Sequence, residues 1–352
     1  MSSASSHSWP DLLSVLIAGN DLDQGAAEWA MEQILSGEAT DVQIAGFAVA
    51  LRSKGETVAE IAGLAEKMLA FATPISAPRE AVDIVGSGGD RANTVNISTM
   101  AAIVAAAAGA RVVKHGNRAA SSACGAADLL EELGVRLDLD PQRQRQVIDE
   151  VGIGFLFAAH YHPSFRNTAG PRRELGVATT FNFLGPLTNP GQPRAHAVGV
   201  ADERMASLVA GVLADRGDQG LVFHGTDGLD ELTTTTTSSI CVFSDGSVRQ
   251  SVLDPRDLGI ARADVGDLTG GGPAENARIA RAVLAGEPGP VRDIVLLNAA
   301  AALAAFDGPG DADALVATLS RQRDRAAAAI DSGEAQSLLD RWIHTTTSPR
   351  GH

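Results

Sequence analysis

Asp83-Ile-Val-Gly-Ser-Gly-Gly-Asp90 opens the stretch that decides the fold, and it continues with Asn96-Ile-Ser-Thr99, an alanine-rich run, Lys114-His-Gly-Asn-Arg118, Ser121-Ser122, Gly125 and Asp128. Two glycine-bearing turns each follow a short apolar run, and a helix-like segment separates them. This order predicts one βαβ unit with both turns at the same edge of a parallel sheet. The turns supply glycines, hydroxyl and amide donors, one lysine and one arginine, which together suit a phosphate group.

The composition narrows the class of protein. The chain has 352 residues, 45% of them hydrophobic, with 37 glycines, and it therefore suits one large α/β domain with a smaller one beside it. A net charge of −15 disfavours a nucleic-acid partner. Cys124 and Cys241 show no disulfide or zinc spacing. Because no signal-peptide pattern and no apolar run of about 18 residues is present, we expect a soluble cytoplasmic protein.

Helical periodicity over residues 9–72 predicts a small all-α unit, assigned to residues 1–77. Its four helices are predicted at Trp9–Ala18, Gly25–Leu35, Asp41–Ser53 and Val58–Phe71. Their apolar stripes need a partner surface, either the rest of the chain or a second copy of this unit.

Residues 78–352 alternate strands with helices, which predicts an α/β domain with a central, mostly parallel sheet flanked by helices. Strands are predicted at Ala81–Val85, Arg111–Val113, Ile153–Phe157, Ala195–Val200, Gly220–His224, Ile240–Ser244 and Val248–Val252, the last two as an antiparallel pair. Segment 159–194 interrupts the alternation with prolines, glycines and asparagines, and so long an excursion is typically functional.

The candidate site residues each carry two interpretations. Gly86 to Asp90 fits a phosphate-binding loop or a tight strand-to-helix turn, and it lacks the spacing of the dinucleotide fingerprint and of the P-loop. Lys114 to Arg118 places a lysine, an imidazole, an amide and a guanidinium on one short loop, more than a solvated strand end requires. Asp227 to Glu231 fits a Mg²⁺ site or an acidic turn.

Two further motifs lie in the excursion. Arg172-Arg173 fits either a carboxylate-binding pair or an ordinary helix surface. Asn182 to Asn189 has no titratable side chain, so it is predicted to shape a loop or hinge rather than to perform chemistry.

Taken together, Gly86-Ser-Gly-Gly-Asp90, Lys114-His-Gly-Asn-Arg118 and Asp230-Glu231 resemble the anthranilate phosphoribosyltransferase family. The likeness extends in the same order through His162-Pro163, Arg172-Arg173-Glu174-Leu175-Gly176 and Asn182-Phe-Leu-Gly-Pro-Leu-Thr-Asn-Pro190. It implies a nucleoside phosphorylase-like fold, with a cleft between a small helical domain and a larger α/β domain. It also implies that part of 162–185 packs with the small domain, and that two chains form a homodimer through the helical domains.

The resemblance implies a role for each matching residue. Phosphoribosyl pyrophosphate would be bound by Gly86, Gly88, Gly89, Asp90, Thr94, Asn96, Ser98, Thr99, Lys114 and Ser122. Anthranilate would be contacted by Gly86, His115, Asn117, Phe165 and Arg172. Two Mg²⁺ ions per monomer would be held by Ser98, Asp230 and Glu231, and the catalytic residues would be Lys114, Asp230 and Glu231. Three positions depart from the family pattern: Ser87 replaces Thr, Arg91 replaces a frequent Gly, and Cys124 replaces a common Ser.

The implied reaction transfers the phosphoribosyl group to the amine of anthranilate, in tryptophan biosynthesis. One competing interpretation is a pyrimidine nucleoside phosphorylase, which shares the fold, but its Lys-His-Gly loop continues with Gly-Arg rather than Asn117-Arg118. Another is a non-catalytic paralogue that binds nucleic acid. Such a paralogue would show a basic cleft and broken motifs, whereas this chain is acidic and keeps its motifs.

Overall fold

The structure is a computed structural model that describes residues 7–119 and 123–348. The first helices lie at α1 Trp9–Ile17, α2 Gln24–Ser36, α3 Asp41–Lys54 and α4 Val58–Ala70, close to their predicted bounds. Thr40 and Thr57 begin α3 and α4 with capping boxes, because each hydroxyl accepts from a backbone N–H while Gln43 or Glu60 bonds back to the cap. Local capping therefore fixes where these helices start.

One seven-stranded sheet organises the rest of the chain. Its strands are β1 Val82–Gly86, β2 Val112–Gly116, β3 Ile153–Phe157, β4 Ala195–Gly199, β5 Gln219–Gly225, β6 Ser238–Ser244 and β7 Ser247–Leu253. They lie in the order β3-β2-β1-β4-β5-β6-β7. β1 to β5 are parallel, whereas β6 and β7 are antiparallel, so the predicted mostly parallel sheet is confirmed.

The structure places β2 further along the chain than the sequence predicts. The predicted strand ends at Val113, but the observed strand includes Lys114 and His115, which are only 2% and 3% exposed. The apolar pattern ends before these two residues, although the strand does not. Two polar side chains are therefore buried within the sheet.

Helices cover both faces of the sheet. They lie at α5 Ile97–Ala107, α6 Ala126–Leu133, α7 Pro141–Val151, α8 Ala158–Tyr161, α9 Ala169–Leu175, α10 Glu203–Asp215, α11 Pro273–Leu284, α12 Pro290–Asp307, α13 Leu315–Asp331 and α14 Glu334–Thr347. α5 and α12 are alanine-rich and almost wholly buried, so their backbones can approach the sheet closely. In the described part of the chain, no helix is long and apolar enough to cross a membrane.

The protein has two main hydrophobic cores on the two faces of the sheet. One contains α5 and α12, and the other contains the N-terminal helices. α1 to α4 share this core with α10, with Val198 and Val222 of the sheet, and with Phe181 and Phe183. The apolar stripes of the four N-terminal helices are therefore buried, at least in part, against the large domain. Some apolar residues of α1 and α3 stay outside the core, since Ile17 is 78% and Val42 is 81% exposed.

The excursion after β3 connects the N-terminal helices with the sheet. It contains α8, α9 and three short 3-10 turns, at Pro163–Thr168, Thr180–Asn182 and Gly185–Leu187. The Asn167 amide donates to the carbonyls of Ile34 (3.1 Å) and Leu35 (3.2 Å) at the end of α2. The Thr180 hydroxyl donates to the buried Glu56 carboxylate at 2.6 Å. This segment is thus bonded to the helical unit at two places.

Candidate active site

The strand order reverses at β1, whose neighbours are β2 on one side and β4 on the other. Ligands of open α/β sheets bind at such a switch point, outside the carboxyl ends of the strands. Here β1 ends at Gly86 and β4 at Gly199. A Cβ atom would lie 2.2 Å from Asp230 Oδ2 at Gly86 and 1.6 Å from the Asp230 carbonyl at Gly199. Both strands therefore end in glycine because the Asp230 segment packs directly over them.

The loop after β1 is shaped by backbone conformation and by Asp230. Gly88 and Gly89 have φ values of 71° and 91°, in the left-handed region that favours glycine. The Gly88 N–H donates to Asp230 Oδ2 at 2.6 Å. The Ser87 hydroxyl accepts from the Ala201 N–H at 3.1 Å, which ties the loop to the end of β4. The first glycine motif is thus anchored to the segment after β4 and to Asp230 in the loop after β5.

Carboxylates converge beside this loop. Asp230 and Glu231 are each 8% exposed. Burial, together with the charge of Asp90, raises the pKa of Asp230 to about 7. Burial and the neighbouring Asp230 raise the pKa of Glu231 as well, while the Ser98 N–H bonds to it. Because these carboxylates are close together and shielded from water, a bound divalent cation would stabilise their charged forms.

Asp227, the first carboxylate of the acidic motif, does not join this cluster. Its side chain accepts hydrogen bonds from the hydroxyls of Thr233, at 2.7 Å, and Thr235. Within residues 7–119 and 123–348, no group of three or more His, Cys, Asp or Glu side chains is arranged to hold a metal.

Lys114 lies beneath the loop. Its Nζ donates to the Ile84 carbonyl and lies 3.3 Å from the Ser98 hydroxyl, at the first turn of α5. Burial lowers the pKa of Lys114, whereas the charges of Asp83 and of the Asp230–Glu231 pair favour its protonated form. A lysine and a helix N-terminus therefore meet the carboxylates at one point, as an anionic ligand with a bound cation requires.

His115 faces the excursion. Its Nδ1 lies 3.1 Å from the Gly185 carbonyl, and its ring centroid is 5.2 Å from that of His162. Burial and the charge of His162 lower the pKa of His115 to about 3, so the imidazole is neutral. A carbonyl can only accept, so Nδ1 carries the proton and Nε2 is the acceptor. Nε2 is buried and has no partner within the described residues, and it therefore offers an acceptor to an N–H group.

Arg172 and Phe165 lie against each other in the excursion. The Arg172 guanidinium lies 5.4 Å from the Phe165 ring centroid, and Phe165 packs edge-on against Phe181 at 6.1 Å. Burial lowers the pKa of Arg172. No hydrogen bond or ion pair joins its guanidinium to another described residue. A partly buried, unpaired and stacked arginine suits a carboxylate ligand.

Both domains of the glycosyl transferase family match the chain: the helical bundle domain over residues 10–72 and the a/b domain over residues 78–336. An anthranilate phosphoribosyltransferase of Nocardioides sp. is 60% identical over 340 residues, covering 96% of this chain and 98% of that protein. The enzyme of Thermobifida fusca is 59% identical over 342 residues, covering 97% and 98%. The chain belongs to the anthranilate phosphoribosyltransferase family.

Solved structures of anthranilate phosphoribosyltransferases share this architecture. The enzyme of Thermus thermophilus is 42% identical with a TM-score of 0.88, covering 96% of this chain and all (100%) of that one. The enzyme of Saccharomyces cerevisiae, in complex with PRPP and Mg, is 26% identical with a TM-score of 0.80, covering 99% and 96%. The predicted family and fold are thereby confirmed, and the nucleoside phosphorylase and nucleic-acid-binding interpretations are superseded.

Of the other residues that the anthranilate phosphoribosyltransferase pattern singles out, Asn117 and Arg118 have protein partners. Asn117 is exposed, and its Oδ1 accepts from the Arg118 N–H at 2.8 Å. The Arg118 guanidinium binds Glu131 and Asp128, at 2.6 to 2.9 Å, so it does not supply the free positive charge expected of the second loop. Thr99 is buried, and its hydroxyl has no partner among the described residues. Ser121 and Ser122 lie outside those residues.

Asn276 was not singled out by the sequence patterns, yet it bonds to Asn96, one of the predicted site residues. Its amide donates to Asn96 Oδ1 at 2.9 Å and accepts from the Gly271 N–H at 2.8 Å, while Asn96 Nδ2 donates to the Cys124 carbonyl at 2.9 Å. Three loops are joined at this buried amide. Thr94 lies in the same region, in an antiparallel bridge with Thr269.

The structure shows the effect of two residues, Arg91 and Ser87, that differ from the anthranilate phosphoribosyltransferase pattern. Arg91 has φ 59°, a left-handed conformation that costs a non-glycine residue about 1–2 kcal/mol, so the frequent glycine at this position is the unstrained choice. Ser87 retains the hydroxyl that binds Ala201. The loop thus keeps its anchor and carries local strain.

Proposed function

We propose that this chain transfers the 5-phosphoribosyl group from phosphoribosyl pyrophosphate to the amine of anthranilate, giving N-(5′-phosphoribosyl)anthranilate and pyrophosphate, in tryptophan biosynthesis. The observation that carries the proposal is the meeting, at the switch point of the sheet, of the Gly86–Asp90 loop, Lys114 and the Asp230–Glu231 pair. An anionic donor and its cation have matching groups at this one place.

Phosphoribosyl pyrophosphate is held, in this proposal, by the glycine loop and the start of α5. The proposed binding residues are Gly86, Gly88, Gly89 and Asp90 of the loop, together with Thr94, Asn96, Ser98, Thr99 and Lys114. Ser122, which lies outside the described residues, is included from the family pattern alone. Ser98, Asp230 and Glu231 would hold two Mg²⁺ ions per monomer, which would supply positive charge to the pyrophosphate group. The raised pKa of Asp230 supports a cation here, and the Saccharomyces cerevisiae enzyme has been solved with PRPP and Mg.

Anthranilate occupies the opposite side, between His115, Asn117, Phe165, Arg172 and Gly86. Arg172 pairs with the carboxylate, since its guanidinium has no partner in the described chain. The free Nε2 of His115 accepts an N–H of the amine. The Saccharomyces cerevisiae enzyme has been solved in complex with 4-fluoroanthranilate, which supports an aromatic carboxylate as the acceptor.

The chemical step follows from these positions. An arylamine is neutral at pH 7 and keeps its lone pair, so no strong base has to activate it. The barrier lies in breaking the bond to pyrophosphate through an oxocarbenium-like state, with inversion at the anomeric carbon. Lys114 and the loop N–H groups stabilise the departing charge, while Arg172 and Asn117 orient the attacking amine.

Three parallel assays test the activity. With phosphoribosyl pyrophosphate, anthranilate and Mg²⁺, we expect fluorescence at the emission of anthranilate to change as product forms. Phosphorolysis of thymidine and a mobility shift with nucleic acid should both be negative. Turnover of thymidine without transfer to anthranilate would refute the proposal.

The division into residues 1–77 and 78–352, with part of 162–185 joining the small domain, is also a proposal. The helical-bundle match ends at residue 72 and the a/b-domain match begins at residue 78, which supports a boundary at this point. The bonds from Asn167 to α2 support the assignment of the excursion. A cytoplasmic location stays a prediction from the sequence.

A homodimer formed through the helical unit explains why α3 is apolar on two faces. Ile44, Phe47 and Leu51 are buried, whereas Val42 is 81% and Val49 42% exposed on another side. Residues seven apart lie on the same face of a helix, so these valines form one stripe. A second copy of the helical unit would cover it.

If Val42 and Val49 lie in the dimer interface, charged side chains at these two positions should prevent dimer formation. Val42→Glu with Val49→Glu should convert the dimer to a monomer, because burying two carboxylates without partners is strongly unfavourable. Light scattering after size-exclusion chromatography measures the mass. Val316→Glu, at a valine of α13 that is 37% exposed, is the matched control and should leave the mass unchanged. A dimer that survives the double substitution would place the interface elsewhere.

A further inference from the structure

The sheet opens between β1 and β2. The two strands share one paired position, Val82↔Val112. Beyond it β1 stays paired with β4 as far as Gly86↔Gly199, and β2 stays paired with β3 as far as Gly116↔Phe157. Both strands thus continue, but they no longer pair with each other at the level of Lys114.

Side chains take over the backbone groups that the opening leaves free. The Val82 N–H bonds to the Arg111 carbonyl at 2.8 Å, and the same parallel ladder, continued along both strands, would reach a bond from the His115 N–H to the Ile84 carbonyl. Instead, the His115 N–H donates to Asp83 Oδ1 at 3.1 Å, and Lys114 Nζ donates to the Ile84 carbonyl. The opening therefore leaves neither of these buried polar groups without a partner.

Asn189 completes this arrangement from the excursion. Its Nδ2 donates both to Asp83 Oδ2 at 2.9 Å and to the Val113 carbonyl at 2.8 Å, and its Oδ1 accepts from the Gly191 N–H at 2.9 Å. Asp83 is fully buried and Asn189 is 3% exposed. A Cβ atom at Gly191 would lie 2.7 Å from Val113 Cγ1, so this turn is pressed against β2.

We propose that Asp83 and Asn189 are positioning residues that hold β1 and β2 apart, so that Lys114 can cross the gap and present its ammonium group beside Ser98. In a closed ladder the Ile84 carbonyl would be occupied by the His115 N–H, and Lys114 would lose the contact that directs it. The inference rests on the proposed role of Lys114 in binding phosphoribosyl pyrophosphate. It gives Asn189 a role in the sheet as well as in the loop.

Substitutions of the pair test the inference in the full-length enzyme. Asn189→Ala removes both donors, and Asn189→Asp places a second carboxylate against Asp83. Each should lower kcat/KM for phosphoribosyl pyrophosphate by about 10- to 100-fold, the usual consequence of a shift of about 1 Å in a catalytic group. Asn189→Ser is measured alongside as a milder change in case the larger ones fold poorly.

An exchange variant separates positioning from general loss of structure. Asp83→Asn combined with Asn189→Asp restores a donor–acceptor contact between the two side chains and retains one negative charge in the gap. This double variant should recover at least about tenfold in kcat/KM relative to Asn189→Asp alone, a coupling expected only of residues in direct contact. An exchange variant no better than the single one would overturn the inference.

Two further variants make the outcomes distinguishable. Gln322→Ala removes a buried amide of α13 that donates to Asp307, the last residue of α12, at 2.9 Å. It should lower Tm without changing the KM for phosphoribosyl pyrophosphate. Lys114→Met reports on the lysine itself. If Lys114→Met leaves this KM unchanged, the proposed site fails; if it raises the KM while the Asn189 variants do not, only the positioning role fails.

Discussion

Asp230→Asn combined with Glu231→Gln is expected to abolish turnover, by at least about 1,000-fold, at every Mg²⁺ concentration. Asn at position 230 can still accept from the Gly88 N–H, so the glycine loop keeps its contact. What the double variant removes is negative charge at the point where Asp90, Asp230 and Glu231 converge. An amide oxygen is a much weaker partner for Mg²⁺ than a carboxylate.

Initial rates over a Mg²⁺ series measure this effect, and calorimetric titration with phosphoribosyl pyrophosphate and Mg²⁺ measures binding independently of turnover. Asp227→Asn is the matched control, because Asp227 lies in the same loop but binds the hydroxyls of Thr233 and Thr235. It should retain turnover. Near-normal rates in the double variant would contradict the assignment of Asp230 and Glu231 as Mg²⁺ ligands.

Arg172→Ala is expected to raise the KM for anthranilate by about 10- to 100-fold, the range for a lost hydrogen bond to a charged group. The KM for phosphoribosyl pyrophosphate should change far less, because Lys114 and the glycine loop are untouched. The KM of Arg172→Lys for anthranilate should lie between the values for the unsubstituted enzyme and for Arg172→Ala. Lysine keeps the positive charge but not the planar fork that matches a carboxylate.

Steady-state kinetics with each substrate varied in turn separates the two KM values. Arg173→Ala is the control on the same helix, because Arg173 is exposed. It should leave both values unchanged. An equal rise in both KM values for Arg172→Ala would mean that Arg172 supports the fold of the site rather than the acceptor.

Local patterns predicted the parts of the structure that depend on neighbours in sequence. The capping residues Thr40 and Thr57 mark the starts of α3 and α4, and the apolar run before Gly86 marks β1. The end of β2 was not predictable in the same way. Lys114 and His115 are polar, and only their partners in other segments allow them to be buried in a strand.

Pairing between distant residues accounts for most of what sequence reasoning missed. Nothing in the pattern distinguishes Arg118, which is bound by Asp128 and Glu131, from Lys114, which points into the site. Nor does it reveal that Asn276 bonds to Asn96, 180 residues away in the chain. Such contacts depend on how the loops meet at the end of the sheet, whereas a motif reports only the residue types that a loop contains.

The attachment of the excursion to the helical unit has a consequence for how the two substrates meet. Asn167 is bonded to α2, and the helix that carries Arg172 follows directly after it. Lys114 belongs to β2, and Asp230 lies in the loop between β5 and β6. With Arg172 as the proposed anchor of the acceptor's carboxylate, and Lys114 and Asp230 as the proposed anchors of the donor, a hinge motion of the helical unit would change the separation between the two substrates. The approach of the amine to the anomeric carbon would then be a movement between two parts of one protein, and we expect the rate of transfer to be sensitive to residues at the hinge that touch neither substrate.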